Sequence, residues 1–175
     1  MDQWVGIILA AGRGVRMRSR IPKVLHPICG KEMVLYSIEK LLNLGLQRVI
    51  LVVSPDNIDS IKQVVGDIAE YVIQTEPNGT GSAVQDAMGV VGDNYSHILV
   101  HNADMPLVSY ESLHSLTESH KENGDVMTLL TMDDVVSEDL GCISRDEQQG
   151  IRRCLFPFKT HLPQFPHSTR HLVFH

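Results

Sequence analysis

Five basic residues, Arg13, Arg16, Arg18, Arg20 and Lys23, fall within eleven positions that begin between two glycines, Gly12 and Gly14. Glycines at such a place let the backbone approach a ligand and aim N–H groups at phosphate oxygens. Arg16 and Lys23 then stand where they could balance the charge of a triphosphate and the charge that develops in phosphoryl transfer. No Gly-Lys-Ser/Thr follows, so the loop is not a Walker P-loop. Met17 occupies the third glycine's place in Gly-x-Gly-x-x-Gly, which weakens a dinucleotide reading. A bare strand-to-helix turn and a solvated basic face are the alternatives that these residues leave open.

Asp104 follows a short apolar run and could hold Mg²⁺, which takes one or two carboxylates together with substrate phosphates and waters. Capping of the turn before Pro106 explains it equally well. Gln74 carries both a donor and an acceptor, as recognition of a base edge requires. It opens Gln-Thr-Glu-Pro-Asn-Gly-Thr-Gly, in which Gly79 and Gly81 permit close backbone approach and Thr80 is suited to cap a helix. Turn and capping duties alone are the commoner use of such a loop. His167, His171 and His175 are four apart and would share a helix face able to bind metal, but Pro163 and Pro166 just before them favour adventitious spacing. No Gly-x-Ser-x-Gly elbow is present, and the histidines have no evident nucleophile partner, so hydrolase chemistry has little support.

Positioning these residues requires elements that end beside one another. Continuous apolar runs predict buried strands at 5–10, 49–53, 71–74 and 98–101, with further strands at 126–131 and 142–145. Helical spacing predicts helices at 33–44, 57–65, 82–90 and 110–120. The alternation implies right-handed βαβ units, and hence a three-layer, Rossmann-like α/β domain with a mostly parallel sheet. In such sheets ligands sit at the carboxyl ends of the strands. Residues 11–14, 74–81 and Asp104 all fall at those ends.

The chain has 175 residues, 43% apolar and 21% charged, which suits one compact domain. No apolar run approaches the roughly 18 to 20 residues that cross a bilayer, and Asp2 with no basic residue before it argues against a secretory signal. Cys29, Cys142 and Cys154 are odd in number and widely spaced, which favours a reduced, cytoplasmic setting over a disulfide or zinc framework. Residues 1–150 carry 11 Lys+Arg against all 21 Asp+Glu, a net of −10. Residues 151–175 carry Arg152, Arg153, Lys159 and Arg170 with no acid, a net of +4, and hold all four phenylalanines. An acidic body argues against nucleic-acid binding, whereas the basic cluster at 13–23 suits a small polyanion.

The run from Leu9 through Pro27 reads Leu-Ala-Ala-Gly-Arg-Gly-Val-Arg-Met-Arg-Ser-Arg-Ile-Pro-Lys-Val-Leu-His-Pro. It closely resembles the signature of the bacterial N-acetylglucosamine-1-phosphate uridylyltransferases, and Gly30-Lys31-Glu32-Met33 continues the match. Gln74, Gly79-Thr80-Gly81 and Asn102-Ala103-Asp104-Met105-Pro106-Leu107 fall where that family has its uracil-contacting glutamine, its Gly-Thr pair and its metal-binding aspartate. The resemblance spans roughly residues 4–150. It implies that the oxygen of a sugar 1-phosphate attacks the α-phosphorus of UTP and displaces pyrophosphate, in cytoplasmic synthesis of cell-wall and lipopolysaccharide precursors. It further implies that Leu9, Ala10, Ala11, Gly12, Gly14, Lys23, Gln74, Gly79, Thr80, Asn102 and Ala103 bind the nucleotide. Arg16, Lys23 and Asp104 would carry the catalysis, Asp104 would hold Mg²⁺, and Gly141 would line the sugar site. UTP and N-acetylglucosamine 1-phosphate would be the partners, with no nucleic acid, no membrane and no sequence sign of an oligomer.

Val15 stands where the family usually has Thr, Ala103 where it has Gly, and Pro77 where a glutamine is common. After Gly150 the family's Ile-Val-Glu-x-Lys-Asp-Ala-like segment, its Asn-x-Gly and the later Asn that completes the Mg²⁺ site are not present in this chain, nor is the acetyltransferase domain of bifunctional members. The expectation is a nucleotidyltransferase domain over 1–150, incomplete, and an atypical tail over 151–175 of out-of-frame or otherwise replaced sequence. A nucleotide-binding remnant without turnover, or a related transferase with another sugar phosphate, are the rival expectations. Translating the encoding DNA in its other two frames past codon 150 should uncover a Glu-x-Lys-Asp-Ala-like segment; finding none in either frame refutes the frameshift.

Overall fold

A computed structural model describes residues 3–131, 142–145, 151–155 and 171–174. Strand β1 (Trp4–Leu9) leads into two 3₁₀ turns (Val15–Met17 and Lys23–Leu25), then a two-residue ribbon of β2 (Pro27–Ile28) and β3 (Lys31–Glu32). Next come α1 (Met33–Asn43), β4 (Val49–Val53), α2 (Ile58–Val65), β5 (Glu70–Ile73), α3 (Thr80–Val91), β6 (His97–Asn102) and α4 (Tyr110–Asn123). The remaining described strands are β7 (Met127–Leu129), β8 (Cys142–Arg145), β9 (Ile151–Leu155) and β10 (His171–Phe174).

Six strands form one sheet in the order β5-β4-β1-β6-β10-β7, every neighbouring pair parallel. The mostly parallel α/β sheet is thus as the hydrophobic pattern implied. Strand residues alternate between two cores because successive side chains point to opposite faces. Ile8, Leu51, Val53 and Leu99 pack with α1, α2 and α4 through Ile38, Leu41, Ile61, Val65 and Leu113. Val5, Ile7, Ile50, Val52, Ile98 and Val100 pack on the other face with Ala83, Val84, Ala87 and Val91 of α3. Burial on both faces is why these strands read as unbroken apolar runs. The three-layer architecture follows from it. Gly6 lets α1 pack close to β1, since a Cβ there would lie 2.7 Å from Leu41 Cδ1 and displace that side chain.

Several boundaries differ from the sequence expectation. The third strand is Glu70–Ile73 rather than 71–74, α3 begins at Thr80 rather than Ser82, and β7 spans Met127–Leu129 rather than 126–131. Apolar pattern marks which side chains are buried, whereas backbone pairing sets where an element stops. The β2–β3 ribbon was not expected: its tight turn places Cys29 and Gly30 at φ +51° and +83°, and cysteine is not among the residues that announce such a turn. Nor were β9 and β10 expected. Strand β10 lies between β6 and β7, pairing His171 with His97 and Phe174 with Val100. His171 therefore opens a strand, not the helix that metal binding with His167 and His175 would need. Those two histidines and Gly141 lie outside the described residues.

At the amino ends of the strands, Arg48 ties three elements together. Its guanidinium pairs with both Glu70 oxygens, at 2.7 and 2.8 Å, and donates to the Val90 and Val91 carbonyls at the end of α3. The hydrogen bond from Arg48, opposed in part by burial, holds the Glu70 carboxyl below its ordinary value of 4.5. A carboxyl depressed in the folded state contributes stability above its unfolded pKa and loses it as the pH falls through the folded pKa. Replacing Arg48 with Met should cost roughly 1 to 2 kcal/mol, most of it from the unpaired carbonyls because the ion pair is solvent-screened. Thermal unfolding at neutral pH should show this as a drop of about 2 to 8 °C, and the gap to the parent chain should narrow below pH 4.5.

Candidate active site

The strand order reverses at β1: β4 and β5 lie on one side and β6 on the other. Open α/β sheets bind ligands in the crevice at such a switch point. Leu9 and Asn102 are register partners across β1 and β6, and Ala103 N–H donates to the Leu9 carbonyl at 3.1 Å. The glycine loop and the Asp104 loop therefore leave the sheet side by side.

Across that crevice, Lys23 Nζ meets Asp104 Oδ2 at 2.5 Å. Both ends of the pair are anchored by apolar neighbours. Val24 and Leu25, which follow Lys23, are buried in the same core as Ala10 and Ala103, which precedes Asp104. Pro22 sets the entry at φ −51°, and its carbonyl accepts from Leu25 N–H at 2.9 Å. The side chains left at the surface are then the cation and the carboxylate, each about one-third exposed. Gly14 supports Lys23 from below. It adopts φ +56°, and a Cβ there would lie 2.7 Å from Lys23 Cβ. Gly12 is different, with nothing within 4 Å of the place a Cβ would take. Among the described residues, no acceptor takes the backbone N–H groups of Ala11, Gly12, Arg13 or Gly14. Four donors along one open loop form a surface suited to phosphate oxygens.

The other expected residues are distributed around this pair. Arg16 is exposed, and Arg13 reaches Asp56 at 3.6 Å. Ala10 and Ala103 are buried, and their methyl groups pack in the core. The extra methyl of Ala103, which stands where the resembled family has Gly, is accommodated in that core. Gln74 sits just past β5, only 6% exposed, and its Nε2 donates to the Gly79 carbonyl at 3.3 Å. One of its two amide hydrogens is thus spent on holding its own loop. Thr80 does not cap α3, because the cap position belongs to Gly79, at φ +101°, and no side-chain oxygen bonds the helix end. Gly79 reaches a conformation there that threonine would resist.

Two residues that sequence reasoning passed over support the crevice. Lys40 of α1 donates to the Pro106 carbonyl in the turn after Asp104. Burial, with Lys31 nearby, pushes its ammonium below its usual range. Asn57, next to α2, bonds both Ser54 N–H and the Ala10 carbonyl at 2.9 Å. An exposed-looking Lys on a helix and an Asn at a helix start carry no sequence signal of such long-range contacts. As for a metal, one carboxylate, Asp104, stands at the crevice, and the described residues contain no group of three side chains able to hold an ion. That donor set fits Mg²⁺ bound jointly with substrate phosphates.

A doubly covered parallel sheet with an open N–H loop and a Lys–Asp pair at its switch point is an arrangement suited to a phosphorylated ligand. The model of the MobA-like NTP transferase domain matches residues 6–159, and the chain belongs to that family. The bifunctional protein GlmU of Exiguobacterium sibiricum is 40% identical over 147 residues, which are 84% of this chain and 32% of that protein. The chain thus spans about a third of the length of the curated relatives it matches. Among solved structures, one from Bacillus anthracis, provisionally assigned as a glucose-1-phosphate thymidylyltransferase and bound to sucrose, superposes with a TM-score of 0.74 at 19% identity, over 91% of this chain and 66% of that one. Rv0371c of Mycobacterium tuberculosis in complex with manganese gives a TM-score of 0.58 at 20% identity, over 69% and 61%. These two likenesses bear on the fold.

The two loop glycines should respond differently to alanine. Gly14→Ala forces a residue with a Cβ into the left-handed region against Lys23, and should cost about 1 to 2 kcal/mol, seen as a lowered melting temperature. Gly12→Ala should change stability by less than about 0.5 kcal/mol yet weaken nucleotide binding in calorimetry. Equal melting temperatures for the two variants would contradict this division.

Proposed function

We propose that the chain catalyses transfer of UMP from UTP to N-acetylglucosamine 1-phosphate, giving UDP-N-acetylglucosamine and pyrophosphate. The observation that carries this reading is the Lys23–Asp104 pair beside the open glycine loop at the β1/β6 switch point. In the reaction a phosphate oxygen of the sugar 1-phosphate forms a bond to the α-phosphorus, and the bond from that phosphorus to the β-phosphate oxygen breaks. Such a transfer needs alignment and charge neutralisation more than a protein nucleophile. Asp104 would hold Mg²⁺, which supplies charge neutralisation on the phosphate oxygens when bound. The N–H groups of residues 11–14 would receive phosphate oxygens, and Lys23 and Arg16 would offset the charge of the departing pyrophosphate. Gln74 keeps one amide hydrogen and its carbonyl oxygen for the uracil edge, and Gly141 would line the sugar pocket.

The relatives' name, the signature from Leu9 to Pro27 and the manganese complex of a structural neighbour support the substrate and metal assignments. A cytoplasmic role in cell-wall and lipopolysaccharide precursor synthesis belongs to the same proposal. No helix among the described residues is long and apolar enough to cross a membrane.

A second reading is favoured by one observation: the family's Glu-x-Lys-Asp-Ala-like and Asn-x-Gly segments have no counterpart after Gly150. On that reading the chain binds UTP without turning it over. Residues 151–175 are accordingly proposed as replaced sequence appended to a nucleotide-binding body over 1–150.

Thermal unfolding with Mg²⁺ and UTP, CTP, ATP or GTP tests the shared part. A nucleotide at about 100 times its dissociation constant adds roughly 2.7 kcal/mol, or some 5 to 10 °C. The expected result is a shift with UTP alone, and the same melting temperature with every nucleotide would end both readings. Pyrophosphate release on adding N-acetylglucosamine 1-phosphate then separates enzyme from remnant. Asp104→Asn should abolish that release while the chain still unfolds cooperatively; full activity in this variant would refute the metal assignment.

A further inference from the structure

We infer that Asn57 is a positioning residue for nucleotide binding, acting through the Ala10–Ala11 peptide; this rests on the proposal that residues 9–14 hold the nucleotide. Asn57 occupies the cap position of α2, where an asparagine ordinarily turns its side-chain oxygen onto the first N–H groups of its own helix. Here it makes no such bond. Its Oδ1 instead accepts from Ser54 N–H at 2.9 Å, and its Nδ2 donates to the Ala10 carbonyl at 2.9 Å, across 47 positions of chain. The side chain is 6% exposed, so both bonds are made away from solvent.

The second of these bonds has a geometric consequence. All peptide bonds described are trans, and in a trans peptide the C=O and the following N–H point in opposite directions. Holding the Ala10 carbonyl towards α2 therefore turns the Ala11 N–H away from α2. Among the described residues that N–H donates to no acceptor, whereas Ala10 N–H is bonded to the Val52 carbonyl at 2.8 Å. Ala10, just past β1, is the last residue here to be held by the neighbouring strand β4, and Ala11 is the first with an open donor. Asn57 sets the orientation at this transition. Backbone pairing alone leaves the Ala10 carbonyl without a partner, because it faces β4, whose pairing with β1 ends at Leu9↔Val52, and the next donor on that side, Ser54 N–H, is taken by Asn57 Oδ1.

Three variants test this. Asn57→Asp keeps an acceptor for Ser54 N–H but loses the donor to Ala10. Asn57→Ala loses both without adding charge. Val65→Ala opens space at a buried position of the same helix, away from the loop. Calorimetric UTP binding in the presence of Mg²⁺ should weaken about tenfold in both Asn57 variants and stay within twofold in Val65→Ala, even where Val65→Ala lowers the melting temperature as much. In ligand-free ¹H–¹⁵N spectra the Ala11 amide should move in both Asn57 variants and not in Val65→Ala. Asn57 variants that bind UTP within twofold of the parent would overturn the role. So would a loss confined to Asn57→Asp, which is charge repulsion, or a loss that follows melting temperature across all three, which is destabilisation. If the parent chain binds no UTP, the proposed function fails first and takes this role with it, a result visible without any variant.

Discussion

The parallel pairing of β1 with β6 is the contact on which the site depends. It spans six register pairs from Trp4↔His97 to Leu9↔Asn102, and it brings two segments some ninety residues apart in sequence to one edge of the sheet. A one-residue slip between β1 and β6 would invert the alternation of Ile7, Ile8, Ile98 and Leu99 between the two cores. Burial on both faces therefore fixes the register, and the register places Asp104 opposite Lys23.

The apolar neighbours do the electrostatic positioning. Val24, Leu25, Ala10 and Ala103 belong to a single core, and the polar residues that adjoin them inherit its rigidity. Lys23 and Asp104 are partly solvated, so their mutual attraction is screened, and both side chains remain open to solvent. Lys40 and Asn57 extend the same logic outward. Each leaves its own helix to take up a carbonyl at the root of one of the two loops, Pro106 in one case and Ala10 in the other. Buried carbonyls without partners are costly, so these bonds hold the loops at the points where they leave the sheet.

At the opposite edge the structure is occupied with stability. Arg48 closes the end of α3 against β5 through Glu70, Val90 and Val91. Strand β10, drawn from the basic, aromatic tail, pairs with β6. Composition set that tail apart from the body. The placement of residues 171–174 in the main sheet is a property of the tertiary structure that composition did not announce.

Much of the fold was legible because a sheet covered on both faces leaves runs such as Val49–Val53 in the sequence, and amphipathic helices leave 3.6-residue spacing. The parallel order and the carboxyl-edge site followed from chain topology. The type and spacing of Gly12, Gly14, Lys23 and Asp104 raised phosphate chemistry beside turn and capping roles. What sequence could not carry were contacts whose partners are distant: that Gly14 is needed by Lys23 whereas Gly12 borders open space, that Gln74 spends a hydrogen on Gly79, that Gly79 rather than Thr80 begins α3, and that Asn57 abandons its own helix for Ala10. The chain by itself determined the chemistry of the groups and the periodicity of the elements, since both are local properties. Only the tertiary structure decided which groups meet, because hydrogen bonds, close approach and register depend on atoms brought together from remote parts of the chain.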